Sequence, residues 1–204
     1  MTAYVIFLGG GGPTSGGGGT TTQLDSTGFY VVSANNPTIT TAQISPSPTI
    51  GDKILFAICA SGPTDAPTVT FGHPSGTIIK EYPGSNYFPR MRIIAVDYTG
   101  ATNNFDFTSN VLITVGAVVL PGATTFSAST PVGAFSPVDP GPVTGALAGC
   151  LGLTFTCTNF NTAAITGPSP DGHSTILNLT GGARNLHIQK RQLTTAATYD
   201  PTPM

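Results

Sequence analysis

The sequence predicts an all-β protein: a jelly-roll-like antiparallel sandwich made of two similar halves behind a Gly-rich N-terminal arm. Three observations support this. The apolar residues fall into short β-branched runs separated by Gly, Pro, Asn or Asp, as strands do. No window sustains a 3.6-residue period, because Pro or Gly interrupts almost every stretch long enough for a helix. Finally, the chain overlays on itself without gaps when shifted by 96 residues, which matches an internal repeat.

The strands follow in order. "YVIFL" at 4–8 is strongly β-forming and leads into two runs of four glycines, at 9–12 and 16–19. Further strands are expected at 29–34, 53–61, 67–71, 77–82, 90–98, 105–108, 111–120, 150–157, 163–166, 175–179 and 184–193. "KILFAICA" and "VLITVGAVVL" are nearly continuous apolar runs, the pattern of central strands covered on both faces. "RMRIIAVDY" and "RNLHIQKRQL" partly alternate, as half-buried strands do, and the alternation puts His187 on the solvent side. The organisation expected is an arm over 1–28 and a sandwich over 29–204, with halves at about 51–120 and 143–204.

Composition narrows the function. Seven basic and nine acidic residues in 204 give sparse charge and no basic stripe, which argues against nucleic-acid binding. The longest internal apolar run, 111–120, is about half of what a membrane crossing needs, and the first residues lack the basic start of a signal peptide. The expectation is a soluble chain that is not exported by the ordinary route. Cys59, Cys150 and Cys157 each lie in an apolar run without metal-type spacing, so buried free thiols are expected.

The overlay of 52–108 on 148–204 places strand on strand, a P-x-G turn on a P-x-G turn and a T-x-A-T segment on its like. It holds seven identities in 57 positions, among them Leu55/Leu151, Pro74/Pro170 and Gly76/Gly172. It also exposes a deficit. The first copy runs on into a long strand at 111–120, while the second stops at Met204 where its counterpart is due. An uncovered strand edge is a liability, and the candidate to cover it is the segment Tyr4, Val5, Ile6, Phe7 and Leu8 on its glycine tether. That strand either closes its own sandwich or crosses to a neighbouring subunit. The competing reading is a tail without a role.

Motifs for nucleophilic, phosphate-binding or zinc chemistry are absent from the sequence, and the carboxylates are scattered singly, mostly at turns. No enzyme activity, cofactor or metal is expected. His73 and His173 fall at nearly matching places in the two copies; with Asp171 they form part of a metal site if the copies face each other, and otherwise are exposed turn residues. The Asn178-Leu-Thr glycosylation triplet is expected to be idle. One loop is suited to recognition. "EYPGSNYFPR", 81–90, gathers Tyr82, Tyr87 and Phe88 among short polar residues, a mixture that gives contact area at low entropy cost. It either touches a partner or folds back on the sandwich.

The order "GDKILFAICASGPTDAPTVTFGHPSGTIIKE … RMRIIAVDYTGATNNFDFT … VLITVGAVVLPG" resembles a β-sandwich module of tailed-bacteriophage virion proteins. That module occurs in capsid decoration (cement) proteins and in tail or fibre components. The likeness covers 51–120 and, more faintly, 143–204. This chain departs from it in lacking a Trp at the P-x-G turn and in ending before the last strand. The resemblance implies a stabilising or adhesive role in the virion, after assembly in the host cytoplasm, as a homo-oligomer, most often a trimer. Its partner would be the major capsid protein, or a host glycan or receptor for a tail module, with no nucleic acid or membrane involved.

Overall fold

A computed structural model of the chain describes residues 2–10, 28–60, 70–71, 76–82, 90–121, 123–128, 132–133, 143–146, 151–158, 174–179, 184–192 and 197–199. Among these residues the fold is all β, with antiparallel sheets packed on one another and one short 3-10 turn at Thr41–Gln43. The strands are β1 (Thr2–Gly10), β2 (Phe29–Ala34), β3 (Thr38–Thr40), β4 (Lys53–Ala60), β5 (Thr70–Phe71), β6 (Gly76–Tyr82), β7 (Arg90–Asp97), β8 (Asn104–Thr108), β9 (Ile113–Leu120), β10 (Ala123–Ala128), β11 (Val132–Gly133), β12 (Val143–Ala146), β13 (Leu151–Thr158), β14 (Ser174–Leu179), β15 (Asn185–Gln192) and β16 (Ala197–Tyr199). The strand expected at 163–166 lies outside the described residues, as does most of the glycine tether.

Two larger sheets form the body. The first runs β2-β9-β4-β7-β6; the second runs β10-β1-β13-β15-β14, with β11 also pairing β1. The first is apolar on both faces, which explains why β4 and β9 read as unbroken hydrophobic runs. Leu55, Ala57, Cys59, Met91, Ile93, Val118 and Leu120 meet Leu151, Leu153, Phe155, Cys157, Leu186 and Ile188 of the second sheet. Ile54, Phe56, Ile58, Ile94, Val96, Val115 and Val119 point the other way, onto Ile39, Ile44, Phe105 and Phe107. That outer layer belongs largely to the small sheet β3-β8-β5, and Phe56 packs obliquely on Phe105 and edge-on against Phe107, with centroids 5.0 and 5.2 Å away.

The sheets repeat one another strand for strand. β4 and β13 are both eight residues long, 98 positions apart; β7 and β15 are also eight long, 95 apart. β6 skips one residue against β7 between Ile78 and Lys80, and β14 skips one against β15 between Thr175 and Leu177. These bulges fall at matching places. A bulge inserts one unpaired residue, and its recurrence at one position is a strong sign of a shared plan. The gapless 96-residue overlay is therefore corrected. It keeps the facing of β4 but would turn every side chain of β7 to the wrong face, since a strand's side chains alternate with period two.

Contacts between the sheets follow the same symmetry. β2 touches β14 at one side and β6 touches β10 at the other, so an approximate twofold axis runs between β4 and β13.

Candidate functional site

The site is built around β13. One flank of this strand pairs with β15, from Leu151 opposite Gln192 to Thr158 opposite Asn185. Its other flank takes β1, with Thr2 opposite Cys157, Tyr4 opposite Phe155, Val5 opposite Thr154, Ile6 opposite Leu153, Phe7 opposite Gly152 and Leu8 opposite Leu151. In the first sheet β4 is flanked in the same way by β7 and β9, with Lys53 opposite Leu120 and Cys59 opposite Thr114. β1 thus holds in the second sheet the position that β9 holds in the first. It does so within its own chain. Outside it lie β10, pairing Ile6–Gly10, and β11, pairing Thr2 and Ala3.

The other candidate partner-binding residues are not gathered with these. Tyr82 ends β6 opposite Met91 in the first sheet, while Tyr87 and Phe88 lie outside the described residues. So do His73, His173, Asp171 and Cys150. The ends of β6 and β7 that flank residues 83–89, however, are joined by charge. Glu81 on β6 accepts from Arg90 Nε at 2.7 Å and from an Arg92 terminal nitrogen at 2.9 Å, and it also pairs with a terminal nitrogen of Arg90. Burial alone would raise the Glu81 carboxyl, but hydrogen bonds from Arg92 and Arg90 outweigh that and hold it below the usual carboxylate value. The strands carrying "KEY" and "RMR" are neighbours, and that juxtaposition was not readable from the sequence.

The halves differ most on the face of β13 and β15 turned away from the apolar interface. The equivalent face of the first sheet offers Phe56, Ile58 and Ile94. Here Thr154, Thr156 and Thr158 stand opposite Gln189, His187 and Asn185. All six are buried, so they form a covered polar layer instead of a wetted one. His187 corrects the expectation of a solvent-side residue, being only 2% exposed. Alternation does show which side a residue faces, but says nothing of whether that side is covered. Burial pushes the His187 imidazole below its ordinary pKa. Its Nε2 lies 3.1 Å from the Thr175 hydroxyl, and its Nδ1 has no hydrogen-bond partner. A Thr–His contact of this kind lacks the third group that orients the base in a nucleophilic pair.

At the sheet interface Cys59 and Cys157 are buried free thiols, as expected, and lie beside each other. Burial, and then the neighbouring Cys157, push the Cys59 thiol well above its ordinary value. Among the described residues no cluster of three His, Cys, Asp or Glu is placed to hold a metal ion, and no helix is long and apolar enough to cross a membrane.

No family model, curated protein or solved structure matches the chain. What the site offers therefore rests on its own geometry: β1 in mid-sheet, a covered polar layer beside it and the ion pairs of Glu81 with Arg90 and Arg92 across β6 and β7.

Proposed function

We propose that this chain is a structural protein of a tailed-bacteriophage virion, of the capsid-decoration type. It binds the major capsid protein as an oligomer, a trimer by likeness to the resembled module, and stabilises the shell without catalysis. The observation that carries this reading is the placement of β1 between β13 and β10. A strand followed by a glycine-rich segment completes a sheet that would otherwise expose a row of backbone donors and acceptors. Chains completed by a strand remote in sequence from its partners suit assemblies in which neighbours are joined by backbone pairing. Sparse charge supports the same reading, since large interfaces built from apolar and backbone contacts depend little on ionic steering.

The ion-paired base under 83–89 favours a second reading, a tail or fibre module that presents its aromatic loop to a host glycan or receptor. Equilibrium binding of purified protein to expanded capsids and to host cell envelopes separates the two. Saturable binding to capsids alone is expected; binding to envelopes alone transfers the role to the tail, and binding to neither refutes both.

A further inference from the structure

We propose that β1 is an exchangeable strand, and that a second copy of this chain is its alternative host. The inference rests on strand register and does not depend on the virion reading. β1 makes its ladder contacts with β13, β10 and β11, all of which follow it by more than a hundred residues. An identical slot in another copy offers the same ladder. Exchange therefore changes no hydrogen bond within the sheet, only the chain to which the strand belongs.

The tether permits it. Gly10 pairs with Ala123, while the Gly28 carbonyl accepts from the Val119 amide at 2.7 Å. Both tether ends therefore sit beside the β9–β10 turn. Three residues lie between Val119 and Ala123, so the ends are at most about 25 Å apart, from chain geometry and the spacing of paired strands. Residues 11–27, "GGPTSGGGGTTTQLDST", supply 17 residues between them, seven of which are Gly or Pro. Fully drawn out, such a length reaches roughly 60 Å. For a Gly-rich linker of 17 residues the typical end-to-end distance is about 23 Å, close to what the internal connection needs.

These magnitudes set the balance. A linker of this length and composition gives the internal strand an effective concentration in the millimolar range. A dilute chain keeps its own strand, and copies crowded to a comparable local concentration, as on an ordered shell, exchange theirs.

The native Cys157 supplies the test, because Thr2 lies directly opposite it. Residues opposed in an antiparallel pair have Cα atoms about 4.5–5.5 Å apart, within the span of a disulfide, which forms under mild oxidation by a small disulfide such as oxidised glutathione; two thiol protons and two electrons pass to it as it is reduced to two thiols. All chains carry Cys59→Ala and Cys150→Ala. One chain combines Thr2→Cys with Cys157→Ala, and the other keeps Thr2 and Cys157. The mixture is equilibrated at about 20 µM and at about 1 mM, then oxidised, so that a covalent heterodimer forms only when β1 of one copy occupies the slot of the other. A heterodimer fraction rising about tenfold or more between these concentrations is expected from the millimolar effective concentration. A third chain with Thr2→Cys and Cys157 together should close internally at 20 µM. Internal closure without any heterodimer at 1 mM overturns exchange and leaves the fold intact. Failure to close internally overturns the register of β1, and exchange with it.

Discussion

Cys59 and Cys157 meet thiol to thiol between the two large sheets, at matching positions on β4 and β13. A residue in contact with its own counterpart must lie close to the axis relating the two, so this pair marks the approximate twofold of the molecule. Both thiols are buried, and that of Cys59 is held well above its ordinary pKa. The thiolate is the reactive form, so native Cys59 should resist alkylation even at about pH 9, near the free thiol pKa. It should become reactive only at the rate of global unfolding. Alkylation followed by peptide mass mapping checks this, and fast labelling of Cys59 in the folded chain contradicts the packing.

Gly116 reports on the same interface. A Cβ built there would stand 2.7 Å from Leu186 Cδ2 and 3.3 Å from Ile188 Cδ1. Gly116→Val should cost about 1–3 kcal/mol by overpacking, lowering Tm by roughly 2–10 °C for a chain of this size. Gly116→Ala should cost less, because the nearest atom is the end of a flexible side chain. Calorimetry of the two variants provides the measurement.

Much of this plan is legible in the sequence because apolar runs report burial. β2 falls where expected to the residue, and β4 and β9 were recognisable as central strands since both their faces are covered. Strands β3, β10, β11, β12 and β16 were not anticipated. Their sequences, such as "ATTFSA" and "VTGA", are short and rich in Thr, Ala and Gly, and tertiary pairing decides their conformation. The covered polar layer escaped for another reason: Thr156 and His187 carry the pattern of a solvent-facing side, and what lies over them is a property of the fold. Phe7 and Tyr4 were singled out as an arm, but that they face β13 in register needed the structure.

His187 makes stability depend on pH. Its folded pKa lies below the ordinary value of about 6.5, so in the window between the two the unfolded chain binds the extra proton. Stability from this group is complete above about pH 6.5 and is lost as pH falls through the folded value. Denaturant melts at several pH values should show this decline, and His187→Gln should flatten it. An unchanged slope in the variant contradicts the buried neutral imidazole.

Glu81 supplies an ordinary carboxylate dependence at lower pH. Its folded pKa is depressed, so its contribution is present above the unfolded carboxylate value of about 4.3 and disappears as pH falls through the folded one. Glu81→Gln removes the ion pairs with Arg90 and Arg92 and should cost about 1 kcal/mol, the scale of a partly exposed pair. Urea melts of the variant at pH 7 measure the loss.

Removing β1 should do more than any point substitution. Deletion of residues 1–10 uncovers the flanks of β13 and β10, and open strand edges seek other edges. The truncated chain should self-associate, and a peptide of residues 2–10 added in excess should reverse the association. Light scattering with and without the peptide follows both steps.

Amide hydrogen exchange over residues 3–8 tests the central claim most directly. If β1 lies between β13 and β10, these amides exchange as slowly as those of Leu151–Thr158, within about tenfold. Exchange at the rate of an unstructured peptide, while β13 stays protected, would show that the leading strand is not part of the sheet.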